Sequence, residues 1–173
     1  KYAGLAAIGV AIWYCILLGF TYFANKEEKG LIYSFGLLVV TFFNIWIVVA
    51  LEGSVITLLM LLEAGILVFV AFLLVDVFSY YLRVAGLLLG VLGAVRVITV
   101  DIFAYDLRLF LPVFNGAFFN FIVATSIFVV IGVLYRRYAT RIQEGEKNIA
   151  VAAFFVANFI FFIGCNVQVW HYF

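Results

Sequence analysis

Charge is scarce in this sequence. Asp, Glu, Lys and Arg together make up 11% of 173 residues, against about a quarter in a soluble domain. So few polar side chains cannot clothe a water-facing surface, and a soluble globular domain is excluded. The net charge of +1 supplies no basic footprint, so nucleic acid is not an expected partner. His171 is the sole histidine, which rules out paired histidine ligands to a membrane haem. Lys1, Lys26, Lys29 and Lys147 all lie at ends or in loops, so no intramembrane lysine is available for a Schiff base. The two cysteines, Cys15 and Cys165, stand far apart in apolar stretches without metal-ligand spacing, and they read as buried free thiols. No G-x-x-x-x-G-K-[ST], H-E-x-x-H, G-x-S-x-G or C-x-x-C pattern occurs, so the motif-based enzyme classes find no support. No cofactor or metal is expected.

Apolar residues are what the chain has in abundance, at 69%. Crossing a hydrocarbon core of about 30 Å takes about 20 of them in a helix. Six runs reach that length: Tyr2 to Phe23, Leu31 to Leu51, Ser54 to Val75, Leu82 to Ala104, Gly116 to Tyr135 and Asn148 to Trp170. None alternates polar and apolar residues as a barrel strand does, so only helices can satisfy the backbone in lipid. The expected fold is all-α, an integral membrane bundle of six transmembrane helices arranged as three antiparallel hairpins. It reads as one transmembrane domain over 1–173, or as a fragment of a longer multi-pass protein, since the chain begins at Lys1 rather than Met.

Lys and Arg favour cytoplasmic loops. With six spans, Lys26, Lys29, Arg83, Arg136, Arg137, Arg141 and Lys147 share one face, and Lys1 and Arg108 the other. The richer face is expected in the cytoplasm of a bacterial inner membrane, with both termini outside. Tyr22, Tyr33, Tyr80, Tyr81, Tyr135 and Tyr138 would then form an inner interfacial belt. The segment from Tyr105 to Asn115, broken by Pro112, is expected in the outer interface, as a connector or as a lid.

Charges inside the spans are costly and are usually paired or functional. A hairpin turning near Ser79 and Tyr80 sets Glu63 level with Arg96, Asp76 level with Arg83, and Glu52 level with Arg108. Glu63 and Arg96 are therefore expected to form an intramembrane ion pair, which either pins the hairpin register or serves proton relay or anion recognition. Gly86-x-x-x-Gly90, followed by Gly93, offers a small-residue strip for close helix packing. Asn44, Thr125, Ser126 and Asn158 act as interhelical hydrogen-bond donors and acceptors or, if they all face Glu63, line a polar centre. On the outer face Asp101, Asp106, Asn115, Asn166, Gln168 and His171 could gather near Glu52 and Arg108.

Several blocks carry a resemblance. They are T-L-L-M-L-L-E-A-G-I-L (Thr57 to Leu67), Y-L-R-V-A-G-L-L-L-G (Tyr81 to Gly90), V-R-V (Val95 to Val97), L-P-V-F-N (Leu111 to Asn115), Y-R-R (Tyr135 to Arg137) and the terminal run from Ala157 to Phe173. In order and spacing they resemble large bacterial multi-pass predicted membrane proteins classed as domain of unknown function 2339. The resemblance covers roughly Ser54 to Phe173 and implies a string of helix hairpins, of which this chain would be a piece. It implies no activity.

The leading expectation is a noncatalytic integral membrane module, either a structural subunit or part of a transporter-like or envelope-related assembly. Its expected partners are membrane lipid and other membrane subunits or further helices of a parent chain. The alternative is a membrane-embedded enzyme or proton-coupled carrier using the Glu63/Arg96 pair.

Overall fold

Each long apolar run closes its own backbone hydrogen bonds as a helix, and polar or glycine-containing segments end it. In a computed structural model of the chain, which describes residues 2–24, 27–74, 78–103 and 116–172, six helices follow one another. They are α1 (Tyr2–Ala24), α2 (Lys29–Ala50), α3 (Ser54–Leu73), α4 (Phe78–Thr99), α5 (Gly116–Arg137) and α6 (Ile149–Tyr172). All six are long and apolar enough to cross a membrane. Successive helices pair as three antiparallel hairpins, α1 with α2, α3 with α4 and α5 with α6. The expected all-α architecture is therefore present.

The chain divides into two compact units, Lys1–Glu52 and Gly53–Phe173. The first is the α1–α2 hairpin. Gly4, Ala7 and Ala11 are buried along one side of α1, and a Cβ on Gly4 would come within 2.9 Å of Ala50 Cβ. Tyr14 stacks on Phe42 at 5.8 Å between ring centroids. Cys15 and Cys165 are both free; Cys15 is exposed on α1 and Cys165 is half-buried, so the expectation of two buried thiols is corrected.

In the second unit, α5 packs on both α3 and α4 as well as on α6. Its core is a column of Leu61, Val68, Phe72, Val97, Phe121, Ala124, Phe128, Ile131, Ala157 and Ile160. Glycines set the helix spacing. A Cβ on Gly86 would lie 2.7 Å from Val68 Cγ2 and 2.9 Å from Ala64 O, one on Gly93 2.8 Å from Leu61 Cδ2, and one on Gly164 2.8 Å from Phe121 Cγ.

These contacts define the α3–α4 register. Leu61 is level with Gly93, Ala64 with Gly90, and Val68 with Gly86. The register expected from a turn at Ser79 and Tyr80 is corrected, because Ser79, Tyr80 and Tyr81 lie inside α4 and the helix begins at Phe78. Ser79 joins the first turn of α4 because its hydroxyl has a use there, accepting from Arg83 Nη1 at 3.1 Å. Moving the turn toward α3 slides Arg96 about a turn and a half from Glu63, roughly 8 Å along the axis at about 1.5 Å per residue.

Exposed polar side chains on the helices satisfy themselves locally. Ser34, Thr41, Thr99, Asn158 and Asn166 each donate to the carbonyl four residues back, at 2.8 to 2.9 Å. Such back-bonding satisfies each donor within its own helix.

Candidate functional site

The four-helix unit buries two polar clusters, one at each end of its apolar column. The first forms where α4, α5 and the connection before α6 meet. After α5 the chain makes two short 3-10 turns, Ala139–Arg141 and Glu144–Glu146. In the second, Glu146 N donates to Gln143 O at 2.9 Å, and the Glu146 carboxylate folds back to take Gln143 N at 3.0 Å. This local capping arrangement turns Glu146 inward, where it is 4% exposed. Arg83, 3% exposed on the first turns of α4, meets it in bidentate fashion, Nε to Oε1 at 2.8 Å and Nη2 to Oε2 at 2.9 Å. Tyr135 donates its hydroxyl to Oε1 at 3.1 Å.

Glu146 thus accepts one hydrogen bond at each of the four lone-pair positions of an ionised carboxylate. A carboxylate so filled has no free lone pair with which to take a proton from a substrate. Aromatic rings complete the enclosure. Phe72 lies under the Arg83 guanidinium at 5.3 Å, meets Tyr135 edge-on at 5.0 Å and stacks on Tyr138 at 5.3 Å. Arg141 closes the rim, with Nη1 donating to Phe72 O at 3.2 Å and its guanidinium 5.2 Å over the Tyr138 ring.

The second cluster ties the start of α3 to the end of α4 and the start of α5. Asp101, in the 3-10 turn Asp101–Phe103 after α4, is fully buried. Its Oδ1 accepts from Thr57 Oγ1 at 3.1 Å and its Oδ2 from Asn120 Nδ2 at 2.7 Å. Thr57 Oγ1 in turn accepts from Arg96 Nε at 3.0 Å, so one hydroxyl links cation to carboxylate. Asn120 Nδ2 also donates to Ser54 O at 3.3 Å, and Arg96 Nη2 donates to Gly53 O at 3.3 Å. Gly53 has φ of 63°, a left-handed conformation that glycine adopts without steric cost. That turn aims its carbonyl at Arg96.

The expected Glu63–Arg96 ion pair is accordingly corrected. Arg96 is level with Thr57 and bonds to Thr57 and Gly53, whereas Glu63 sits half-buried farther along α3. Ion pairs among the described residues include the buried Arg83–Glu146 and the exposed Lys147–Glu144. Within the four-helix unit Ser126 and Asn158 do not gather as a polar centre, since both are exposed and Asn158 donates to its own helix; in the α1–α2 hairpin Asn44 donates to Val40 O at 2.9 Å. Of the outer-face group, Asp101 is buried in the second cluster, and Glu52 is exposed at the end of the first unit. Asp106, Arg108 and Asn115, the segment around Pro112, and Asp76 lie outside the described residues, as does the side chain of His171. Tyr135, expected in an interfacial belt, is buried.

Spacing in the sequence does not single out Asn120 as the partner of Asp101 or Glu146 as that of Arg83. Arg83 and Glu146 are 63 positions apart, so no local spacing announces them. Glu146 folds back onto the backbone N–H three residues earlier as the Glu of a capping box does, but Gln143 stands where that signature has Ser or Thr. Among the described residues no three His, Cys, Asp or Glu side chains gather as metal ligands. Comparison with family models, with curated proteins and with solved structures gives no match.

Proposed function

We propose that this chain is a noncatalytic membrane-spanning module, a structural subunit or a piece of a transporter-like or envelope-related assembly. It would sit in a bacterial cytoplasmic membrane with both termini outside, against membrane lipid and other membrane subunits or further helices of a longer parent chain. The observation that carries this reading is the saturation of the buried acid Glu146: all four of its acceptor positions are filled by Arg83, Tyr135 and Gln143. Asp101 is likewise held by Thr57 and Asn120. Between the two clusters the packing residues run from Leu61 and Phe121 to Phe128 and Ile131, with Glu63 Oε2 and Thr125 Oγ1 buried along the same stretches of α3 and α5. Buried polar groups used in this way fix helix order and register instead of exchanging protons.

Reconstitution into liposomes loaded with a pH-sensitive dye tests the reading. Proton leak should match that of protein-free liposomes under an imposed gradient. Sustained flux that Glu63→Gln abolishes would overturn the module in favour of a proton-coupled carrier.

A further inference from the structure

A groove of about 410 Å³ runs between the end of α5 and the start of α6, within the roughly 300–1,000 Å³ of ordinary small-molecule sites. Ile142, Ala150, Val151 and Phe154 line its apolar part, and Arg136 and Lys147 stand at its rim. Gly132 shapes the floor. Three atoms of the Phe154 ring lie 3.0 to 3.1 Å from where a Gly132 Cβ would be, so the ring packs flat on α5 and opens the space above it.

Its depth and its charge point to the same kind of occupant. The groove begins where the apolar run Phe118–Arg137 ends, the level at which acyl chains give way to headgroups. The last turn of α5 and the connection to α6 carry Arg136, Arg137, Arg141 and Lys147 against Glu144 and Glu146. Glu146 is turned inward and neutralised by Arg83. Glu144 bridges Lys147 Nζ at 2.9 Å, but with side chains 93% and 62% exposed that bridge is open to exchange with water or another anion. A cationic rim above an apolar floor, at headgroup depth, fits one acyl chain and its phosphate.

We infer that this groove is a binding site for an anionic phospholipid, with Arg136 and Lys147 holding the phosphate and Phe154, Val151 and Ile142 holding the upper acyl chain. The site rests on the membrane-module reading and names its lipid partner.

The test is native mass spectrometry of the full chain in detergent, titrated with phosphatidylglycerol or with phosphatidylcholine of the same acyl chains. Two cations at an anionic headgroup predict retention of phosphatidylglycerol at about thirtyfold lower concentration. The double variant Arg136→Gln/Lys147→Gln should lose that preference, while Arg137→Gln, outside the groove, should keep it. Equal retention of the two lipids by the unaltered chain, or a preference that survives the double variant, overturns the site and leaves the module reading standing. A chain recovered from cells without detergent would overturn the membrane reading and this site with it.

Discussion

Glu146 and Arg83 are worth more to each other than either is to the fold alone. Both are nearly inaccessible, so removing one leaves the other charged and unmatched in an apolar setting. Arg83→Met should therefore lower stability by about 3 to 5 kcal/mol, whereas Arg83→Met with Glu146→Gln should be markedly milder. Chemical unfolding of the purified chain in detergent measures both. If the double variant is as unstable as the sum of the single ones, the pair does not act as a unit. This pairing is not legible in the sequence. Asp76 offers Arg83 a nearer acid along the chain, and only the 3-10 turn at Glu144–Glu146 swings the distant one inward. The cost of an unpaired charge in a long apolar run draws attention to Glu63 and Arg96 in the sequence. It does not specify that a threonine hydroxyl stands between the guanidinium and the nearest carboxylate.

At the scale of helices, length and hydropathy locate all six, because the lipid-length runs are bounded by polar or glycine-containing stretches. Register is harder to read. Ser79-Tyr80-Tyr81 looks like a turn, yet serine and tyrosine also suit the end of a helix, and placing them there moves every α3–α4 pairing. The glycine strip on α4 is legible as a packing surface, but its members are not equivalent. A Cβ at Gly90 would make ordinary contacts, 3.6 Å to Phe128 Cζ and 3.7 Å to Ala64 Cβ, while one at Gly86 would meet the Ala64 carbonyl oxygen at 2.9 Å. Backbone cannot move aside as a side chain can. Gly86→Ala should cost about 1 to 3 kcal/mol through overpacking. Gly90→Ala should be neutral or stabilising by up to about 1 kcal/mol, because alanine loses less entropy in a helix. Thermal unfolding of the two variants side by side measures the difference, and equal losses would contradict a register that sets Gly86 against Ala64 and Val68.

The whole molecule comprises a helical hairpin and a four-helix unit, the latter with polar cross-links at both ends and an apolar column between them. Composition alone announces an all-helical chain with six helices long and apolar enough to cross a membrane. Whether the interior is a polar centre or an apolar column cannot be read that way, because Asn44, Ser126 and Asn158 sit at similar depth whichever way they face. The core position Ala124, fully buried, decides between them. In a background with Cys15→Ser and Cys165→Ser, Ala124→Cys should resist a water-soluble maleimide in opened native membranes and react only after denaturation. Gly145→Cys, in the exposed connection before α6 with nothing within 4 Å of its Cβ position, should label at once. Labelling of the Ala124→Cys thiol in the native protein at a rate near that of the Gly145→Cys control would mean that water reaches the core, and would contradict the closed module.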